Sequence, residues 1–457
     1  MGRCVYEGIY DPADPHADIH GFRSDVARLV RELGIGIVRY PGGNFASGYD
    51  WRETVGPVAD RPSRLDLAWR SLEPNTFGLG EFMDWARLVG VEPMMTVNLG
   101  TGDVTDAVDL VEYTNTPAGT KYSDLRRSHG AGGPYGIKLW CLGNEMDGPW
   151  QIGHKSADEY GSLAVRTATA MRRVDPSIEL VACGSSHDRM PTFGRWEATV
   201  LERAYDEVDY LSLHCYYGKS DDDTVGYLAS ADAMDVFIDR VVATCDHVAT
   251  LKHSARRLKL SFDEWNVETR VTEAHPPWTL APRMSEDEFT AEDAVVVGGL
   301  LVCLLRHSDR VAVACLAQLI NVMAPIRTER GRDAWRQPTF YPFALTARHA
   351  RGDVLRVEPR SSTPVSSVVR GDVEPVDLVA THDGETGETV VFAVNRSTRD
   401  SVELDLELAR GATAVGEHVA IRYDAAGTPR ASRQHQLDGR HLRAVAPPGS
   451  WSMLRLA

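Results

Sequence analysis

The stretch LWCLGNEMDGPW, residues 139–150, decides how this chain is read. Four apolar residues lead straight into Gly143-Asn144-Glu145, so a buried strand ends on an amide and a carboxylate. The same unit recurs in both directions. Residues 35–40 form a short apolar run ending in Pro41-Gly42-Gly43-Asn44, and 93–98 and 179–183 repeat it. Residues 209–213 run into His214-Cys215-Tyr216-Tyr217, 258–262 into Asp263-Glu264-Trp265-Asn266, and 312–316 into Ala317-Gln318. Between these runs lie stretches with helical spacing. Phe22, Val26, Leu29, Val30 and Leu33 form one stripe before Gly34, a C-cap candidate; Phe82, Trp85, Leu88 and Val89 form another.

Seven near-continuous apolar strands separated by helices predict a parallel sheet covered on both faces. Polar clusters at the strand ends favour a (β/α)8 barrel, which builds its site there. A doubly wound sheet is the alternative, but it carries an early Gly-rich cofactor loop that this chain lacks. After about residue 351 the pattern shifts to short alternating strands at 376–381, 389–394, 402–406, 415–421 and 451–456. The expected organisation is therefore a barrel over 1–350 and an antiparallel β-sandwich over 351–457.

A formal charge of −16 disfavours nucleic acid and anionic membrane as partners. No signal peptide or membrane-length apolar run is visible. The seven cysteines are scattered without CxxC or Cys/His metal spacing and read as reduced core residues of a cytoplasmic protein. Gly218-Lys219-Ser220 lacks the upstream glycine of a phosphate loop, and Ser185 lacks the G-x-S-x-G frame.

Two strand ends carry a glutamate among aromatic and amide residues, Glu145 and Glu264. Paired carboxylates suit glycoside hydrolysis, with one as proton donor and the other as nucleophile or base. Trp140 and Trp150 near Glu145 predict desolvation and a raised pKa, and Asn266, Arg39 or Tyr216 are candidate donors to Glu264. His214 reads as a core histidine or a ligand, but without HExxH no metal is expected, and no cofactor.

Arg39-Tyr-Pro-Gly-Gly-Asn44-Phe45, Asp66-Leu-Ala-Trp69, Glu81-Phe-Met-Asp-Trp85, the run from Trp140 to His154, and Ser261-Phe-Asp-Glu264-Trp-Asn266 resemble the α-L-arabinofuranosidases of glycoside hydrolase family 51. The likeness runs from about Gly2 to the C-terminus. It implies a retaining, exo-acting enzyme on arabinose-containing oligosaccharides, with a barrel and a sandwich, intracellular and homo-oligomeric, a hexamer by that resemblance. By it Glu145 is the acid/base and Glu264 the nucleophile, and Arg39, Asn44, Asn144, Tyr216 and Gln318 match the positions that hold the sugar ring. His214 joins them as a candidate contact. Trp278 does too, unless it is only a loop anchor.

Three departures stand out. The family's first strand, which ends in an acidic residue, precedes the match to Gly2-Arg3, so the barrel lacks its first strand here. Either the start lies upstream, or the barrel is open and the chain poorly stable and poorly active. Glu268 replaces a tryptophan usual four residues past the nucleophile, and Gly100-Thr101-Gly102-Asp103 lacks an arginine common after the threonine. The expected activity is release of terminal non-reducing α-L-arabinofuranosyl residues. Another retaining glycosidase of the superfamily, such as an endo-glucanase, and a catalytically impaired sugar-binding protein are the alternatives.

Overall fold

The computed structural model describes residues 1–220, 222–268, 274–358, 360, 363–408 and 412–457. Seven parallel strands pair in chain order: β1 (Ile37–Tyr40), β2 (Glu92–Val97), β3 (Leu139–Leu142), β4 (Glu179–Ala182), β5 (Tyr210–Tyr217), β6 (Lys259–Val267) and β7 (Val311–Leu316). Helix α1 (Ser24–Leu33) precedes β1. One or more helices follow each strand, among them α2 (Leu79–Val89), α3 (Val104–Asn115), α4 (Ala157–Val174), α5 (Arg195–Ala204), α6 (Ser230–Leu251), α7 (Ala291–Arg306) and α8 (Phe340–His349). This is the alternation of a nearly closed (β/α) barrel, as the strand ends foretold.

Local chemistry explains the punctuation. Helix α1 stops at Gly34, which sits at φ 76° and donates its N–H to Val30 O, as its position after the apolar stripe suggested. Helix α4 starts on a reciprocal Ser156/Glu159 box and α7 on a Thr290/Asp293 box. Strand β3 is buried at all four positions because helices cover one face and the barrel interior the other. Strands β5 and β6 run further than the apolar runs suggested, to Tyr217 and Val267. Their last residues keep parallel pairing although polar, and this sets His214 beside Glu264 and Tyr216 beside Asn266. β1 and β7 end the ladder and flank a cavity of about 600 Å3 that opens onto the polar strand ends.

The sandwich comprises a six-stranded sheet and a three-stranded one. The larger has the order β8 (Asp353–Leu355), β9 (Val376–His382), β10 (Thr389–Asn395), β16 (Ser450–Leu456), β12 (Val415–Arg422), β13 (Arg430–Ala431). The smaller has the order β11 (Val402–Glu407), β15 (His441–Ala446), β14 (His435–Asp438). Every strand expected in this region is present. The larger sheet is apolar on both faces. Val391 and Leu454 meet Leu442 and Ala444 of the smaller sheet, whereas Phe392, Trp451 and Met453 join the barrel's core. Helix α7 is therefore buried nearly all round. The seven cysteines are unpaired, and no described helix is long and apolar enough to cross a membrane.

Gly298 of α7 packs directly against the sandwich. A β-carbon there would lie 2.3 Å from Cδ1 of the buried Trp451 indole. Gly298→Ala is expected to lower the melting temperature. Overpacking against a rigid indole costs roughly 1–3 kcal/mol, more than the roughly 1 kcal/mol of helix propensity that alanine returns. Thermal unfolding by circular dichroism checks this; an unchanged or higher midpoint would mean that the contact is loose.

Candidate active site

Glu145 follows β3 through Gly143 at φ 93° and itself sits at φ 46°, a left-handed conformation uncommon outside glycine. Such strain persists only where the surroundings impose it. Here Trp150 Nε1 donates to Glu145 Oε2 at 2.7 Å, and His214 Nδ1 lies 3.1 Å from Oε1. Glu264, within β6, accepts from Tyr216 Oη at 2.8 Å and from Arg39 Nη1 at 3.1 Å. Arg39 also donates to Asn144 Oδ1 at 2.6 Å, and Asn144 donates to Asn44 Oδ1 at 3.2 Å. Residues from β1, β3, β5 and β6 thus form one hydrogen-bonded cluster.

An oxygen of Glu145, a ring nitrogen of His214 and an oxygen of Glu264 lie within 4.8 Å of one another. That separation falls on the side of the roughly 5–5.5 Å spacing of retaining glycosidases and short of the roughly 6.5–9.5 Å of inverting ones. Both glutamates line the cavity with Arg39, Asn44, Tyr216 and Gln318.

His214 holds the electrostatics together. Its Nε2 lies 3.2 Å from Asp263 Oδ1, so the buried ring spans two carboxylates. Burial opposes its charge, but Glu264, Asp263 and Glu145 outweigh burial and push its pKa up to about 10. Asp263 shows the converse balance: burial raises its pKa, but Arg39 and His214 hold it below the usual range.

Glu145 departs from expectation. Burial does work to raise its pKa, but the His214 hydrogen bond and charge, then Trp150 and Arg39, hold it below the ordinary carboxylate value. Trp140 takes no part: its Nε1 donates to Ile137 O at 3.0 Å, on the helix side of the sheet. Asn266 is not a donor to Glu264 either. Its Nδ2 is spent on the carbonyls of Ala317 and Met323, at 2.6 Å each.

His214 turns its ring nitrogens to carboxylates rather than to open space, and Trp278 lies outside the cavity lining. Trp278 is 41% exposed and its backbone N–H donates to Arg70 O, ahead of a short strand, Thr279–Leu280. Trp150, expected beside Glu145, does cap it and stacks on His187. Two contributors were missed in the sequence: Asp263 anchors Arg39 and His214, and Trp69 lines the cavity. The signal for Asp263 was available, an acid directly before the glutamate inside an apolar strand.

Residues 29–234 match the family model for the α-L-arabinofuranosidase 1 domain, and residues 263–448 that for the α-L-arabinofuranosidase C-terminal domain. The chain is 51% identical, over all of its length and 72% of the relative's, to an intracellular exo-α-(1→5)-L-arabinofuranosidase of Streptomyces lividans. It is 50% identical, over all of its length and 94% of the relative's, to one of Bacillus subtilis. A family 51 α-L-arabinofuranosidase structure from Bifidobacterium longum superposes with a TM-score of 0.95 at 41% identity, covering all of this chain and 94% of the other. An arabinose complex of the Thermotoga maritima enzyme gives 0.88 at 30%, covering all of this chain and 94% of that one. The chain belongs to the α-L-arabinofuranosidases of glycoside hydrolase family 51.

Proposed function

We propose that this protein is a retaining exo-α-L-arabinofuranosidase that releases terminal non-reducing α-L-arabinofuranosyl residues from arabino-oligosaccharides, with (1→5) linkages preferred. The observation that carries the chemistry is the close approach of Glu145 and Glu264 in one cavity. The linkage rests on the names of the Streptomyces and Bacillus relatives, and their description as intracellular supports a cytoplasmic site of action. We take 1–350 as the catalytic unit and 351–457 as the sandwich. A homo-oligomer, hexameric by the family likeness, belongs to the same reading and is checked by light-scattering mass.

Glu264 attacks the anomeric carbon, forming a glycosyl ester as the glycosidic C–O bond breaks, and Glu145 protonates the leaving oxygen. Water then attacks the same carbon, Glu145 takes its proton, and Glu264 leaves as carboxylate. Arg39 and Tyr216 hold the nucleophile's oxygens, and Asn144, Asn44 and Gln318 are the proposed ring ligands. Asn144 suits the 2-hydroxyl, whose hydrogen bond strengthens as positive charge develops.

The low pKa of Glu145 is compatible with a proton-donor role because His214 and Glu145 share one proton across 3.1 Å. Moving it from Nδ1 to Oε1 converts imidazolium–carboxylate into imidazole–acid without exchange with solvent. Once Glu264 is esterified, His214 loses the partner whose charge most raises its pKa. The shared proton has already left on the glycosidic oxygen, so the weakened pair does not take up another, and Glu145 is left as base for water.

His214→Gln tests this. The wild-type pair retains its proton towards the raised His214 value of about 10. In the variant only Glu145 holds it. The alkaline limb of kcat/KM should therefore move to lower pH by about one unit or more. A profile scaled down without movement would sink the shared-proton idea.

The activity itself is tested by incubating the protein with (1→5)-linked arabinotriose and, in parallel, a cellooligosaccharide, following anomers by NMR. Arabinose released first as the α anomer from the non-reducing end is the expected result. Preference for the cellooligosaccharide would favour the endo-glucanase alternative.

A further inference from the structure

On the outer helical layer, α6 and α7 bring a second set of metal-capable donors together. Cys303 lies on α7 and His307 caps its C-terminus, four residues apart and so on one face. Asp235 of α6 faces both. His307 Nε2 is 2.8 Å from Asp235 Oδ1, and Cys303 Sγ is 3.9 Å from the same oxygen. One donor atom from each of the three lies within 4.8 Å of the other two. Arg306 shares the neighbourhood, with Nη2 3.2 Å from Asp235 Oδ1 and Nη1 on Asp377.

We propose that Asp235, Cys303 and His307 bind one zinc ion through carboxylate, thiolate and imidazole, with water as the fourth ligand. The donor set selects the metal. Thiolate with imidazole suits zinc, whereas calcium and magnesium require oxygen ligands throughout. The spacing fits as well. Bonds of about 2.0 Å to nitrogen and oxygen and about 2.3 Å to sulfur put tetrahedral N···O and O···S separations near about 3.3 and 3.5 Å.

The observed 2.8 and 3.9 Å miss those values in opposite directions, so a shift of Asp235 Oδ1 by about half an ångström towards sulfur satisfies both. Asp235 and His307 are 37% and 15% exposed while Cys303 is buried, so the ion enters from solvent and meets the thiol last. Binding releases the thiol proton to buffer and leaves zinc neutralised by two anionic ligands. Arg306 yields Asp235 and keeps Asp377. Because α7 carries the contact between barrel and sandwich, occupancy should stabilise the whole chain.

Cobalt(II) is the probe. Bound to a thiolate it gives an intense near-ultraviolet charge-transfer band, which the all-oxygen-and-nitrogen Glu145–His214–Glu264 group cannot produce. The full chain, cleared of metal with a chelator, should show this band saturating at one equivalent and bleached by zinc. The band should vanish in Cys303→Ser, and cobalt affinity should fall at least tenfold in Asp235→Asn, a partly exposed change that spares the buried thiol. Zinc should raise the melting temperature of the wild type and not of Cys303→Ser. Absence of the band, or a band unchanged in either variant, overturns the proposal.

Discussion

Glu264→Ala should turn over an aryl α-L-arabinofuranoside about 10^4-fold or more slowly than the wild type, because no other group can form the glycosyl ester. The neighbours argue that this is a chemical and not a folding effect. Arg39 retains Asn144 and Asp263 as partners, and the β6 backbone ladder is untouched. The removed carboxylate leaves a space beside the anomeric carbon, still flanked by the Arg39 guanidinium and the Tyr216 hydroxyl. Azide, a small anion, should enter it and attack from the nucleophile's side, giving a β-L-arabinofuranosyl azide of inverted configuration. Kinetics with and without azide, with NMR of the product, check this. Residual activity above about a tenth, or an azide product of α configuration, would remove Glu264 from the nucleophile's position.

Much of this arrangement was legible because each barrel strand announces itself twice, by an unbroken apolar run and by a polar residue where it ends. What was missed involves direction and partnership across strands. Trp140 and Cys141 are adjacent, so in a strand they face opposite ways. The thiol of Cys141 lies 3.5 Å from Asp263 inside the barrel, and the indole therefore points out. Nearness in sequence to Glu145 suggested the reverse.

Asn266 is two residues from Glu264, yet the segment after β7 offers its amide two carbonyls, those of Ala317 and Met323. His214 meets Glu264 only through a register shift after Ser212, which no pattern in either strand encodes. The pKa of Glu145 follows the same logic. Its aromatic neighbours in sequence predicted desolvation alone, while the charges that prevail come from β1 and β5. Trp278 was read as either a sugar contact or a loop anchor; it sits with exposed Leu280 next to the hairpin of Arg64–Asp66 and Ser71–Glu73, where Trp69 is the ring that reaches the cavity.

Glu145→Ala should separate two kinds of substrate. An oligosaccharide leaves as a poor alkoxide and needs the proton, so its kcat/KM should fall about 10^2- to 10^4-fold. A nitrophenolate leaves without protonation, so its kcat/KM should fall far less. Hydrolysis of the ester still lacks a base. The aryl substrate should therefore show a burst followed by a slow steady state, with KM lowered as the intermediate accumulates. Azide needs no base and should restore steady-state turnover, now giving the α azide, because it attacks the ester from the face that water uses. The opposite product configurations of the two variants assign the two glutamates to opposite faces of the sugar. His214 sharpens the contrast: without Glu145 its Nδ1 keeps only Glu264, at 3.9 Å, and cannot hand a proton to the leaving oxygen through a missing carboxylate. Equal losses on both substrates, or rescue with the same configuration as Glu264→Ala, would show that Glu145 positions the sugar and does not carry its proton.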